Sequence, residues 1–510
     1  MGKAKKPPGP WADLQCDVLQ SVAAKLPLRD RFKLNLVCRS WRQGLEDAPQ
    51  VWEAVTVDPR RKASTSRRVR FVKHLPTGEA LAAWFGRYGR HTRCLHLRHL
   101  DAASQAEGCG AAPDVAALLE SVAGGLQQLV VQQCTVQELL SGHAATLRAL
   151  RSLTSLHVQL PLDEPGLSLG APGAAFITAL SNLQDLALAS AYQLPQHALP
   201  ASLDALPRLR SLQLARVGGP RGVLADLERG SSGGVYMLHV AAGLPRALAA
   251  LERLVLSDFC LLEEEPGEEE EHAAWRLGRL PPALLGLPAL TSLVLADVGL
   301  GLRGPIPAAA AATEADARRY PLPAQLGSLA GSLRELVLLN HTAGQEELGA
   351  LSALTCLTSL SLTAKWRHQP THAPDALSQL TGLRQLKLSH GLTQVPACIT
   401  GLTRLTLLDL SFNSLKSLKP GDYLKRLVAV NLRANLLSHF PLQLKVARHT
   451  AVELQLPQND SMTISEKDVE QLLTFDKLKQ LTIYGASDDK ATRRCLAALQ
   501  RACPWLLVDV

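Results

Sequence analysis

The stretch Leu405-Thr406-Leu407-Leu408-Asp409-Leu410-Ser411-Phe412-Asn413 decides how this chain folds, because it returns 22 residues later as Leu427-Val428-Ala429-Val430-Asn431-Leu432-Arg433-Ala434-Asn435. Both read L-x-x-L-x-L-x-x-N. In an extended segment successive side chains point to opposite sides, so the L-x-L pair puts two apolar side chains on one side of a short strand. The Asn that follows turns the backbone and satisfies polar groups inside the loop. One such unit cannot bury its own apolar side, so it must stack on copies of itself.

Working outward, Leu126, Leu129, Val131 and Cys134 make a third copy, and Ala451, Leu454, Leu456 and Asn459 a fourth. Looser copies, with the apolar triplet but no Asn, start at Thr92, Leu153, Leu183, Leu209, Leu251, Leu290, Leu333, Leu357, Leu383 and Leu478. Most starts are 22 to 30 residues apart. That spacing and phrase resemble the leucine-rich repeat, whose period is about 20–29 residues. The chain holds 100 Leu in 510 residues and only 4% aromatics, the composition of a core built from identical layers. The fold class is therefore α/β, a leucine-rich-repeat solenoid (horseshoe) over 91–510. An L-P-x-x-L-x-x-L phrase before many strands, as at Leu199-Pro200, Leu280-Pro281 and Leu322-Pro323, is expected to form the helical or 3₁₀ return. Cys503–Val510 is expected to run from a last helix into a capping strand. Longer spacings place insertions near 218–243, 260–280 and 299–320, the second with seven Glu between Glu263 and Glu271. They are expected to be surface loops, or an acidic docking loop in the second case.

The first residues follow a different period. Leu14, Val18, Leu19, Val22 and Leu26 fall on one face of a helix, Pro27 ends it, and Leu34, Val37 and Trp41 continue the apolar spacing. A bundle of this size needs a partner surface to complete its core. Leu14, Val18-Leu19, Val22, Leu26-Pro27, Asp30, Val37-Cys38-Arg39-Ser40-Trp41-Arg42 and Val51-Trp52 together resemble an F-box over 11–57, with Gln15 where that family usually has Pro. F-box and leucine-rich-repeat pairing is a common family architecture, and the repeat phrases resemble plant and green-algal proteins. The resemblance implies a subunit that binds a Skp-family adaptor, and through it a cullin-RING ubiquitin ligase, and presents a protein substrate. By position, Leu14, Val18, Leu19, Val22, Leu26 and Pro27 would supply adaptor contact and helix core. Val37, Cys38 and Trp41 would mainly hold the bundle. The alternative is a leucine-rich scaffold of cytoskeletal or axonemal kind, with the bundle used for packing only.

The basic excess lies at the start. Residues 1–100 hold 20 Lys and Arg against 8 Asp and Glu, while the other 410 hold 34 against 38. Residues 1–10 read as a basic, Pro-rich tail without a secretory core segment, and 58–90 as a basic linker centred on Arg60, Arg61, Lys62, Arg67, Arg68, Arg70 and Lys73. That run is either a solvated linker or a nuclear-import patch, with Ser64 a kinase-site candidate; aromatics do not interleave with it as nucleic-acid binding would require. The longest uncharged apolar stretch, Leu280–Ala296, is broken by three Pro, so no membrane span is expected. Ten scattered Cys without a C-x-x-C pair fit reduced thiols, in the cytoplasm or nucleus, or in a ciliary axoneme under the scaffold reading. His91, Cys94, His96 and His99 are the nearest approach to a metal set, and read better as residues on a solvent-facing strand. His368 and His372 have Pro370 between them. The sequence contains no G-x-S-x-G, no G-x-x-x-x-G-K-[ST] and no H-E-x-x-H, so neither an enzyme nor a cofactor is expected.

The outward strand positions carry the last reading. They are polar in the first repeats (Gln128, Gln132, His157, Gln159) and in the last (Lys387, Asp409, Arg433, Glu453). Between them they turn apolar: Ala187, Ala189, Ala215, Val255, Val294, Ala296, Val337 and Leu339. A substrate patch is expected at Val255, Val294, Val337 and Leu339, or else the insertions fold over it.

Overall fold

The computed structural model describes the chain apart from residues 1–14, 27–30, 32–33, 35–36, 47, 58–59, 63–68, 72–77, 99–114, 133–148, 160–178, 190–202, 204, 216–236, 240–247, 258–259, 263–285, 297–323, 342–346, 365–371, 460–461, 484–489 and 510. It divides into two compact units, one of Met1–Gly219 with Arg246–Ala250, the other of Pro220–Pro245 with Leu251–Val510.

In the first unit, β1 (Ala54–Val57) is joined by β4 (Cys94–Arg98), β5 (Gln128–Gln132), β6 (Ser155–Gln159), β7 (Asp185–Ala189) and β8 (Ser211–Ala215) in one parallel ladder taken in chain order. A short antiparallel pair, β2 (Arg60–Lys62) with β3 (Val69–Phe71), lies between β1 and β4 in sequence. In the second unit β9 (Met237–His239) pairs with β11 (Cys260–Leu262). Its main ladder runs through β10 (Arg253–Ser257), β12 (Ser292–Ala296), β13 (Glu335–His341), β14 (Ser359–Ala364), β15 (Gln385–Ser389), β16 (Leu407–Asp409), β17 (Ala429–Asn431), β18 (Glu453–Gln455), β19 (Gln480–Thr482) and β20 (Leu507–Asp509), all parallel. Every one of the 14 apolar triplets read from the sequence forms a strand of these ladders, and the tail strand at 507–509 is present. The chain folds as stacked leucine-rich repeats.

The register explains why Leu dominates. Leu360, Leu386, Leu408, Val430 and Leu454 are mutual partners across neighbouring strands, and all are buried. Each layer meets the same side chain above and below, about 4.8 Å away, so one residue shape satisfies all of them. A branched chain without polar atoms meets that need. At the strand entries a Thr ladder takes the leftover acceptors. The Thr154, Thr291, Thr358 and Thr406 hydroxyls each donate to the carbonyl that their own N–H also uses, one repeat earlier.

At the strand exits the Asn do what their position requires. Asn413 Nδ2 donates to the Leu388 and Leu410 carbonyls at 2.8 Å, while its Oδ1 accepts from His390 and Leu392 N–H at 3.0 Å. Asn435 bridges Leu410, Leu432 and Leu415, and Asn459 bridges Leu432, Leu456 and Leu437, in the same way. Each amide therefore ties its own turn to the preceding repeat. The residue before each Asn is left-handed: Phe412 (φ 57°), Ala434 (φ 53°) and Gln458 (φ 59°). Such a conformation costs about 1 kcal/mol or more in a non-Gly residue and persists because the buried amide over-determines the turn.

The segment 58–90, expected to be a linker, is a correction. Besides the β2–β3 pair it contains the helix Gly78–Tyr88, which packs on the N-terminal helices. The boundary expected at 57 is also absent, since β1 belongs to the repeat ladder. Within the insertions, β9 and β11 are the described part; the acidic run 263–271 and residues 299–320 lie outside the described residues.

Candidate functional site

Two surfaces merit attention, and the first is the N-terminal bundle. The helix Cys16–Lys25 packs against the helix Arg39–Glu46 at Gly44, where a Cβ would stand 2.6 Å from Cys16 Sγ. A Cβ there would require the exposed Cys16 thiol to turn away. Gln20 Nε2 donates to the Gly44 carbonyl at 2.8 Å across the same contact. Leu19 (2% exposed) and Ala23 face inward, while Val18 (42%) and Val22 (47%) face solvent. The apolar face read from the sequence is thus split: Leu19 belongs to the core, and the exposed pair is Val18 and Val22. Leu26 is half-buried. Leu14 and Pro27 lie outside the described residues. Val37, expected to hold the bundle, is a further correction, because it is exposed in the turn that precedes the helix Arg39–Glu46.

Sequence reasoning missed what locks this bundle. The buried Arg31 guanidinium donates to the Ala24 carbonyl at 3.0 Å, Leu26 at 2.7 Å, Ala54 at 2.9 Å, and Val51. It thereby satisfies the orphan carbonyls of one helix end and the entry to β1. Burial holds its pKa below the usual value. Trp52 stacks on Tyr88 with centroids 4.9 Å apart, meets Trp84 edge-on at 5.4 Å, and donates to the Leu45 carbonyl. Glu46 joins Arg42, Arg87 and the Tyr88 hydroxyl. The Arg42 hydrogen bond, chiefly, holds its carboxyl below the usual range.

The second surface is the outward side of the strand ladders. In the second unit Val255, Val294 and Val337 are direct partners on β10, β12 and β13, and Leu339 pairs with Ala296 and Thr363. All four are partly exposed, whereas their strand neighbours Leu254, Leu256, Leu293, Leu295, Leu336 and Leu338 are buried. Farther along, the same central position becomes Ser361, Lys387, Asp409, Asn431 and Gln455, and Lys387 Nζ stands 3.6 Å from Asp409.

In the first unit the corresponding central position is mixed, running His96, Val130, His157, Ala187 and Gln213. His157 Nε2 lies 2.6 Å from Asp185 Oδ2, and the Ser155 hydroxyl donates to the same oxygen at 3.0 Å. These are the residue types of a hydrolytic triad but not its geometry. A base must stand between nucleophile and carboxylate with one nitrogen for each, and here one nitrogen and one hydroxyl converge on a single oxygen. Burial acts to raise the Asp185 pKa, but the hydrogen bonds from His157, Ser211 and Ser155 outweigh it and hold the carboxyl low. On β4, Cys94 Sγ is 3.3 Å from His96 Nε2 and 3.3 Å from Gln128 Oε1. Burial and then Glu53 raise that thiol, so it is not an activated thiolate, and burial lowers His96. His91 accepts from Arg90, and His99 lies outside the described residues. Among the described residues no three potential ligands converge on a metal position, and no helix is long and apolar enough to cross a membrane.

No family model and no curated protein matches the chain. Solved structures that resemble it include a leucine-rich-repeat protein of Leptospira interrogans, at 16% identity over 77% of this chain and 92% of that one, with a TM-score of 0.37. An internalin from Listeria monocytogenes is 15% identical over 80% and 92%, with a TM-score of 0.37. The Drosophila Toll–Spatzle complex gives 14% over 82% of this chain and 46% of that one, with a TM-score of 0.42.

Proposed function

We propose that this chain is a non-catalytic recognition subunit of an SCF-type cullin-RING ubiquitin ligase. In this reading the N-terminal helices dock a Skp-family adaptor, and through it a cullin, and the outward face of the repeats takes the protein substrate. One observation carries it. The helix Cys16–Lys25 completes its own packing with Leu19 and Ala23 yet leaves Val18 and Val22 in solvent, four residues apart and so on one face. Nothing in the bundle's stability calls for two exposed valines there, whereas a docked partner would. The Val37-Cys38-Arg39-Ser40-Trp41-Arg42 phrase and the order of the helices support the same reading. The bond-making chemistry would belong to other subunits, in the cytoplasm or nucleus. The test is co-purification of a Skp-family adaptor with the full chain and with Val18→Asp/Val22→Asp. Capture by the first and not the second is expected; equal capture by both, or capture by neither, rejects the reading.

A second reading is favoured by the aromatic cluster of Trp52, Trp84 and Tyr88. It welds the bundle to the first repeats, as a terminal cap of a repeat array would be. On this reading the chain is a non-enzymatic scaffold, of cytoskeletal or axonemal kind, and failure to capture the adaptor is its expected outcome.

A further inference from the structure

Three consecutive repeats meet at one exposed point in the second unit. Phe412, in the turn after β16, is 45% exposed. The Arg433 guanidinium, from the turn after β17, lies over its ring, 5.5 Å from the centroid. Gln458, from the turn after β18, accepts from Arg433 Nε at 2.9 Å. The backbone reinforces the arrangement: Phe412 N–H donates to the Arg433 carbonyl at 2.9 Å, and Arg433 N–H donates to Asn431 Oδ1 at 3.0 Å.

The fold does not call for an aromatic at this place. The turn needs a left-handed residue, and the next two repeats meet that need with Ala434 and Gln458. A bulky ring in this conformation and half in water is disfavoured on both counts. Its effect is to give the guanidinium a cation–π partner, while Gln458 fixes the Nε edge. With Nε engaged, Nη1 and Nη2 are left as the outer edge of the fork, and among the described residues neither has an acceptor. A guanidinium set over a ring and held at one edge is oriented before any ligand arrives, which lowers the ordering cost of binding.

We infer that Phe412, Arg433 and Gln458 form a receptor for a planar or tetrahedral oxyanion on a peptide segment of a protein partner. The oxyanion is an Asp or Glu carboxylate or a phosphorylated Ser or Thr. Two N–H donors in a fork match two oxygens of either group. A nucleic acid fits less well. Asp409 and Glu453 lie on the flanking strands, and residues 101–510 hold 38 Asp and Glu against 34 Lys and Arg, so a run of phosphates would meet more repulsion here than a single charge held by Arg433. The inference does not depend on the adaptor.

The test uses the full chain as bait for a phage-displayed random dodecapeptide library. Selected peptides are then resynthesised with each Asp or Glu replaced by its amide or by phosphoserine. One anionic position is expected to be enriched. Affinity is expected to fall about tenfold on amide replacement, and equally with R433Q, in line with loss of a charge-assisted hydrogen bond. Arg433→Lys should recover only part of it, because Lys keeps the charge without the fork. Phe412→Ala is the second variant: Ala434 shows that Ala holds this turn, so a loss there reports the ring rather than the fold. Restoration by phosphoserine beyond the carboxylate assigns the site to phosphate, and the reverse assigns it to carboxylate. Absence of any enriched anionic position, an unchanged profile in folded R433Q and F412A, or capture of single-stranded RNA in place of peptides would overturn the inference.

Discussion

His341 Nε2 lies 3.1 Å from His390 Nε2, with both rings buried. His341 stands at the position that Asn413, Asn435 and Asn459 hold in later repeats, and Ala364, paired with it on β14, is small and buried between the two. Only one proton can lie between the two nitrogens, so the pair is neutral with one ring donating to the other. Among the described residues His341 Nδ1 has no partner.

Stability should therefore fall in mild acid. Burial, and for His341 also the neighbouring His390, lowers the two pKa values to about 3 and about 4; the His372 main chain opposes this for His390. Unfolded His titrates near 6.5, so below that pH the unfolded chain binds protons that the folded pair refuses. The contribution is complete above about pH 6.5 and is lost as pH falls, at ~1 kcal/mol per pH unit per histidine. Thermal unfolding from pH 7.5 to 5 measures it. His341→Asn, restoring the amide of the later repeats, should roughly halve the slope; an unchanged slope contradicts the assignment.

The buried amides should be costly to lose. Asn435→Leu strands the Leu415 N–H and leaves the Leu410 and Leu432 carbonyls with only the Asn413 and Asn459 amides, at about 1–3 kcal/mol. The same change at Asn413 should cost at least as much, since that amide also serves His390 and Leu392. Denaturant midpoints for both variants check this, and two neutral results would refute the ladder.

Charge on the first helix should separate docking from folding. Leu19→Asp buries an unpaired carboxylate and should cost several kcal/mol, read as loss of the cooperative transition. Val18→Asp and Val22→Asp sit in solvent and should change stability by no more than about 0.5 kcal/mol. Circular dichroism of the three variants distinguishes them, and equal damage from all three would contradict the split face.

The Val255, Val294 and Val337 stripe should be probed with Thr rather than Asp. The three are direct partners, so three carboxylates would repel one another along the ladder and confuse binding with unfolding. Thr keeps the branched shape and strand preference while adding a hydroxyl. In a random-peptide selection the triple Thr variant should lose enrichment of apolar positions with little change in melting temperature. Retained enrichment would exclude the stripe as a contact surface.

The sequence alone was enough for the repeats. Leu at i, i+3 and i+5 is a local pattern, and each copy stacks on the next by the same contacts, so all 14 strands could be placed without knowing any long-range pairing. The Asn at i+8 likewise told its own role, because a short amide after a strand has only its turn to bind. The N-terminal face was legible as apolar, but not its division: whether Leu19 or Val18 faces inward depends on where the helix Arg39–Glu46 lies. Four features needed the tertiary structure, namely β1 joining the ladder, Arg31 closing four carbonyls, the helix Gly78–Tyr88 seating Trp84 and Tyr88 on Trp52, and His341 meeting His390 across 49 residues. Each joins particular residues of different elements without a repeating pattern, and contacts of that kind leave no period in the chain to read.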